Sequence, residues 1–287
     1  MNNQKVIPSV NYHLWEPCNM RCKFCFATFQ DVKAILPKGH LSKNDALTVV
    51  QKLCDFGFEK ITFVGGEPTL CPWLPELISL AKVNGLTTMI VTNGSKLTES
   101  YLKQFYWILD WVTISIDSID PTINRQIGRV AHAIISSEAE YIQKCQLVLD
   151  QGFRLKINTV VHKLNCNEVL SDFICAVKPE RWKVFKLLPV IGQNNTKIKH
   201  LEISDIEFNH YVSRNLELPK QIIMVKESNV DMTGSYVMVD PAGRFFDNTK
   251  GFHTYSDPIN ETTVKNAIKQ IRSDYDKFID RKGLYSW

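Results

Sequence analysis

Three cysteines stand close together at Cys18, Cys22 and Cys25, in the spacing C-x3-C-x2-C, after an apolar run from Val10 to Trp15 and Pro17. Thiolates are soft ligands suited to iron–sulfur clusters, zinc and copper(I). A structural zinc ion requires a fourth protein ligand to close its tetrahedron. His13 and His40 are the nearest candidates for that place. Three thiols with no evident fourth suit a 4Fe–4S cluster better, because one iron then stays open to a small molecule. The aromatic Phe24, one residue before Cys25, agrees with that reading.

The loop resembles the cluster motif of the radical S-adenosylmethionine (SAM) superfamily. The resemblance implies that the amine and carboxylate of SAM chelate the open iron. The reduced cluster would then split SAM into methionine and a 5′-deoxyadenosyl radical. Side chains suited to holding SAM follow along the chain. Gly65 and Gly66 let backbone approach a ligand closely, and Glu67 can accept from the SAM ammonium. Thr92, Asn93 and Ser115 fall at predicted strand ends, where they can hydrogen-bond the ribose or carboxylate. Arg129 can pair with a carboxylate or phosphate. Gly65-Gly66-Glu67-Pro68 alone reads as a turn; after a second strand and a three-cysteine loop it points to a site.

The elements that position these groups alternate. Strands are predicted at 9–14, 60–64, 86–92, 111–117, 154–161 and 181–188. Helices between them are marked by Ser42 and Thr98 as N-caps, Pro72 as a leader, and Gly57, Gly85 and Gly152 as stops. Six such units predict a parallel sheet with right-handed crossovers. They are too few for an eight-stranded closed barrel, so the expected fold is α/β, a partial (β/α)6 barrel over residues 1–190. Residues 191–287 break the rhythm and read as a C-terminal extension covering the barrel mouth. They hold a helix near 204–216, short strands near Ile222 and Tyr236, and a helix near 261–273. The apolar end, Gly283 to Trp287, is expected to dock into the site.

Strand parity then sorts side chains, because helices cover the outside of a parallel barrel and outward positions must be apolar. Val112, Ile114 and Ile116 face the helices, which leaves Thr113, Ser115 and Asp117 for the interior. The same parity turns Asn11, His13, Lys60, Thr62, Lys156 and Asn158 inward. Arg181 and Lys183 share a face with Phe185; Trp182, Val184 and Leu188 form the other, interrupted by Lys186. Each of Lys60, Lys156, Arg181 and Lys183 alone fits a strand end with its head in water. All four on one interior suit a polyphosphate, such as a nucleoside triphosphate.

The 287 residues carry 34 basic and 30 acidic side chains, a net charge of +4. That mild excess does not mark a nucleic-acid binder, though it permits a local basic pocket. The other five cysteines are scattered, so no second cluster is expected. No signal peptide, membrane span or N-terminal amphipathic helix is read, and unpaired thiols suit a reducing cytoplasm.

A closer resemblance, to the viperin family of antiviral radical SAM enzymes, rests on several segments. They are 9–13, 63–68, 92–95, 115–118, 127–129, 156–158, 181–185, 227–229, Ser235-Tyr236, Asp240 and Trp287. It implies that a hydrogen atom is taken from C4′ of a ribonucleoside triphosphate and that the 3′-hydroxyl leaves as water. The product is a 3′-deoxy-3′,4′-didehydro nucleotide that terminates polymerase extension. The implied roles are Cys18, Cys22 and Cys25 for the cluster, with Phe24, Gly66, Glu67, Thr92, Asn93, Ser115 and Arg129 for SAM. Asn11, Lys60, Lys156, Asn158, Arg181 and Lys183 would hold the triphosphate, and Tyr236 would supply the final hydrogen. Partners implied are CTP, UTP or GTP and a reductase, flavodoxin or ferredoxin as electron donor. Residues 240–250 depart from animal viperins and lie where a loop contacting the base is expected.

Three rivals have their own signatures. A radical SAM enzyme on another nucleotide or purine, such as a molybdopterin-precursor cyclase, carries a second cysteine set near its C-terminus; this chain has no cysteine after Cys175. A non-catalytic iron–sulfur redox sensor needs neither Gly65–Pro68 nor the interior lysines. A zinc-stapled domain needs the fourth ligand.

Overall fold

The computed structural model describes residues 5–287. Six strands run in sequence order: β1 (Ser9–Trp15), β2 (Lys60–Gly65), β3 (Thr87–Thr92), β4 (Trp111–Ser115), β5 (Arg154–Val161) and β6 (Arg181–Lys186). Each is parallel to the next. The main crossover helices are α1 (Lys43–Phe56), α2 (Leu74–Val83), α3 (Glu138–Asp150) and α4 (Ser171–Val177). Local signals set their ends. Ser42 accepts from the Asp45 amide, Ser137 and Glu140 form a capping box, and Gly57 closes α1 at φ 99°. α4 begins only at Ser171, because Asn165–Leu170 is tied into turns by Asn215 and His162.

The apolar parity holds. Val10, Tyr12, Ile61, Phe63, Val112, Ile114, Leu155, Ile157, Trp182 and Val184 are buried in one core with Val50, Leu53, Leu77, Ile78, Cys145, Val148 and Phe173 of the helices. Leu188 is the exception. The strand ends at Lys186, alternation stops with it, and Leu188 lines the interior cavity instead.

The C-terminal residues do more than cover a mouth. β7 (Ile223–Glu227) pairs with β6, and β8 (Val237–Val239) pairs with β1, both parallel. The parallel run is thus two strands wider than the sequence suggested. β9 (Arg244–Asp247) and β10 (Thr254–Pro258) continue antiparallel from β8, giving the order β10-β9-β8-β1-β2-β3-β4-β5-β6-β7. No ladder joins β7 to β8, so the barrel stays open there. The helices expected near 204–216 and 261–273 appear as α5 (Asp205–Arg214) and the short α6 (Val264–Ile268), followed by an unforeseen α7 (Tyr275–Asp280).

Candidate active site

The open barrel encloses a cavity of about 600 Å³, within the range of small-molecule sites. All three loop cysteines and every other predicted site residue line it. It has three levels, because strand ends and strand starts lie at opposite ends of a parallel barrel. With about 3.3 Å per residue, Lys60 at the start of β2 and Gly65 at its end stand about 16 Å apart.

The upper level is the cysteine loop. It is seated by backbone, since the Arg21 amide donates to Gly128 O at 3.2 Å and Lys23 to Ile127 O at 2.9 Å. Gly128, at φ 81°, leaves no room for a Cβ beneath the Arg21 carbonyl. Gly65 and Gly66 have the same task. Backbone of Trp15, Glu16 and Pro17 fills the space a Cβ would take, so the close approach that glycine permits is made by the loop's own approach strand. Phe24 packs with Ile127, Leu187, Ile198 and Leu201.

Burial pushes the Cys18 thiol up to about 11 and Cys22 to about 12, and raises Cys25. Such thiols ionise when a metal supplies the compensating charge. Three of them on one loop fit a 4Fe–4S cluster with an open iron. His13 and His40 are engaged elsewhere: His13 lies edge-on to Phe26, Phe29 and Phe246, and His40 stacks on Trp15 at 3.8 Å. Among the described residues no three or more His, Cys, Asp or Glu side chains, the loop thiols included, are gathered closely enough to hold a single metal ion.

The middle level is the ring of strand ends. Glu67 is almost fully buried and accepts from Thr69 N (3.1 Å), Thr69 Oγ1 (2.6 Å), Thr92 Oγ1 (2.6 Å) and Asn93 N (2.7 Å). Burial raises its pKa, and these donors oppose that. Three of the four bonds fall on Oε1, so Oε2 keeps capacity for one more donor. Asn93 Nδ2 donates to Asn19 Oδ1 at 2.8 Å, tying this ring to the cysteine loop. Arg129 is not free. It forms a buried ion pair with Asp117, and its Nη1 donates to Ser115 O at 3.2 Å. Desolvation would lower the Arg129 pKa, but Asp117 outweighs it and the guanidinium stays charged. Parity placed Asp117 inside without assigning it that partner.

The lower level is basic. Register sets Lys156 beside Arg181 and Asn158 beside Lys183. Burial, then mutual repulsion, lowers Lys60 and Lys156 well below ordinary lysine values. Burial also lowers Lys183, to about 8, although Glu227 opposes it. Burial alone would raise Glu227; Lys183 and Arg281 reverse that and hold it below the usual carboxylate range. Lys183 ion-pairs with Glu227 and donates to the Tyr236 hydroxyl at 2.8 Å, and Tyr236 donates in turn to Glu227. Arg281 stacks 3.7 Å over the Tyr236 ring. Asn158 Oδ1 and Arg181 Nε are buried without a protein partner. The C-terminal tail closes the floor. Tyr285 accepts from Lys60 Nζ at 3.1 Å and lies 3.8 Å from the Arg181 guanidinium.

Glu227 and Arg281 were not given roles from sequence. Both come from the C-terminal third; the fold brings Arg281 to the cavity lining and Glu227 against Lys183. Of the divergent stretch 240–250, only Asn248 lines the cavity; Arg244–Asp247 is β9, and Asp240 is consumed by Arg244.

Comparison with known proteins shows the family and the fold. The model of the Radical SAM superfamily matches residues 14–171. An S-adenosylmethionine-dependent nucleotide dehydratase of Flammeovirga pacifica is 56% identical over all of this chain and 98% of its own length. One of Lacinutrix mariniflava is 53% identical over 98% of this chain, which spans 59% of that relative. The fold is similar to that of native anSMEcpe with bound AdoMet, with a TM-score of 0.70 and 14% identity over 91% of this chain and 80% of that one. No helix among the described residues is long and apolar enough to cross a membrane. The chain belongs to the radical SAM superfamily, with a 4Fe–4S cluster and SAM as cofactors, and within it to the viperin-like S-adenosylmethionine-dependent nucleotide dehydratases.

Proposed function

We propose that the substrate is a ribonucleoside triphosphate and the product its 3′-deoxy-3′,4′-didehydro analogue. The observation that carries this reading is the lower level of the cavity. There Lys60, Lys156, Arg181, Lys183 and Arg281 line the cavity together, and the buried carboxylate of Glu227 pairs with Lys183 and Arg281. Buried cations without partners are costly, and a polyphosphate relieves that cost in one binding event. The orphaned Arg181 Nε and Asn158 Oδ1, and the buried ammonium of Lys156, are the groups it satisfies first.

SAM and the cluster, when bound at the upper levels, supply a 5′-deoxyadenosyl radical that takes hydrogen from C4′. The chain's own residues do the rest. Cys18, Cys22 and Cys25 hold the cluster, and the free Oε2 capacity of Glu67 holds the SAM ammonium. Phe24 walls the SAM site, Gly66 gives it backbone, and Thr92, Asn93 and Ser115 line its ribose and carboxylate. Arg129 acts from its pair with Asp117. Asn11 and the cations fix the triphosphate at the floor, which turns the ribose up toward the strand ends. Tyr236, held between Lys183 and Glu227, is placed to return a hydrogen to the dehydrated sugar. Tyr285 and the tail exclude water from the floor, and residues 191–287 form the substrate-side part of the barrel.

CTP, UTP and GTP are the candidate substrates, and the product acts as a chain-terminating antiviral nucleotide. Eight unpaired thiols support a cytoplasmic location. The test is anaerobic incubation of reconstituted protein with SAM, dithionite and each triphosphate in turn. Mass spectrometry should find 5′-deoxyadenosine together with a nucleotide lighter by one water. 5′-Deoxyadenosine without any altered nucleotide overturns the assignment of substrate.

A further inference from the structure

We propose that Asn19 is a positioning residue for SAM, which fixes the Cys18 corner of the cluster loop against the strand end that receives the SAM ammonium. The proposal rests on the placement of SAM at Glu67 and Asn93 under the proposed function. A carboxylate that holds that ammonium works only at a set distance from the thiols that hold the cluster. Misplacement by about 1 Å is enough to cost a large part of the rate.

The two sides of the loop are anchored differently. The Cys22 and Cys25 side is tied to Ile127 and Gly128 by backbone, and Asn194 Nδ2 donates to Phe24 O at 2.9 Å. The Cys18 side is tied to the SAM-facing segments themselves. Just before Cys18, Pro17 O accepts from the Glu67 amide at 3.0 Å. Just after it, Asn19 Oδ1 accepts from Asn93 Nδ2 and Asn19 Nδ2 donates to Ser95 Oγ, both at 2.8 Å. The Ser95 amide donates back to Asn93 Oδ1 at 2.9 Å, which closes a ring of three hydrogen bonds. That last bond is an Asx turn, and Gly94 inside it sits at φ 78°. Asn93 also donates its own amide to Glu67 Oε2 at 2.7 Å. One residue therefore holds the SAM-facing carboxylate with its backbone and Asn19 with its side chain. Asn93 lines the cavity, whereas Asn19 and Ser95 do not, so Asn19 acts through Asn93 rather than by touching SAM. A carboxamide suits this place because it accepts and donates at once.

The test uses the full chain with Asn19→Ala, Ser95→Ala and the two combined. After reconstitution, Asn19→Ala should carry as much iron and sulfide as wild type, since all three thiols and the anchors at Ile127, Gly128 and Asn194 remain. Its KM for SAM should rise about 10-fold, the equivalent of two lost hydrogen bonds, while KM for the nucleoside triphosphate stays put. Ser95→Ala should shift the KM for SAM in the same direction, and the double variant should add nothing to Asn19→Ala. In the cluster-free chain, iodoacetamide should label Cys18 about 5-fold faster in Asn19→Ala than in wild type, with Cys22 and Cys25 unchanged. A wild-type KM for SAM, an unchanged Cys18 labelling rate, or a double variant whose losses multiply overturns the proposal. So does a fall in iron that matches the loss of SAM, because Asn19 then only holds the loop together. Glu67→Gln separates this from the reading beneath it. If that variant binds SAM as wild type does, the placement of SAM fails; if it weakens SAM and Asn19→Ala does not, the role of Asn19 alone fails.

Discussion

The Arg281 guanidinium lies over the ring of Tyr236, 3.7 Å from its centroid, while the Tyr236 hydroxyl bridges Lys183 and Glu227. The ring meets Arg281 and, at 5.3 Å, Lys183, while the oxygen bonds Lys183 and Glu227, so ring and hydroxyl can be separated by mutation. Tyr236→Phe keeps the stack and removes the hydroxyl. Product formation should fall about 10-fold or more, while 5′-deoxyadenosine continues to form. The ratio of 5′-deoxyadenosine to dehydrated nucleotide therefore rises. An unchanged ratio removes Tyr236 as hydrogen donor.

No hydrogen bond or ion pair holds the Lys156 ammonium among the described residues, and burial drives its pKa down. Lys156→Met fills similar volume without a charge. Thermal unfolding should shift upward, by about 1 kcal/mol or more of added stability. Nucleotide affinity should fall at least about 10-fold, since one charge-assisted contact is lost. SAM binding should not change. Loss of SAM affinity in this variant would contradict the three-level arrangement.

Lys183 predicts a pH dependence. Its folded pKa of about 8 lies below the ordinary lysine value of 10.5. Between these values the unfolded chain binds more protons than the folded one. The contribution of this group to stability therefore rises with pH from about 8 to 10.5. Nucleotide binding runs the other way, because a triphosphate favours the ammonium form and takes up a proton above pH 8. Affinity should weaken as pH rises through about 8, by up to about one log unit per pH unit. Phosphate groups finish ionising near pH 6, so they do not mask the effect. Calorimetric titration across pH 6.5 to 9.5 decides it, and a flat profile would count against Lys183 as a phosphate ligand.

Gly128 lies far along the chain from the cysteines, yet its α-carbon sits under the Arg21 carbonyl at φ 81°. Gly128→Ala imposes both a left-handed alanine and a clash with the loop backbone. Iron and sulfide per chain after reconstitution should drop well below wild type, with far-UV circular dichroism unchanged. Full cluster loading would show that the loop tolerates displacement.

Much of this molecule was written in local patterns. The spacing of Cys18, Cys22 and Cys25 announced a cluster loop, because ligand spacing needs no tertiary context. Alternation at Val112–Asp117 and Leu155–Asn158 turned the right side chains inward, because parity is a property of any strand whose far face meets helices. Caps at Ser42 and Thr98 set helix starts within a turn of the chain. These local rules suffice to bring Lys60, Lys156, Arg181 and Lys183 to one cavity.

Only the tertiary structure decided the rest. That β7 and β8 join opposite edges of one sheet depends on a nine-residue connection spanning the open side, and strand partners are not encoded in strand composition. Asp117 met Arg129, and Glu227 met Lys183 and Arg281, across tens to scores of residues, where charge alone does not choose among partners. The glycines at 65, 66 and 128 were legible as special, but not as spaces for backbone, because the neighbour that fills each space comes from another part of the chain. Where parity failed, at Leu188, the strand had already ended, and periodicity carries no information past the last ladder bond.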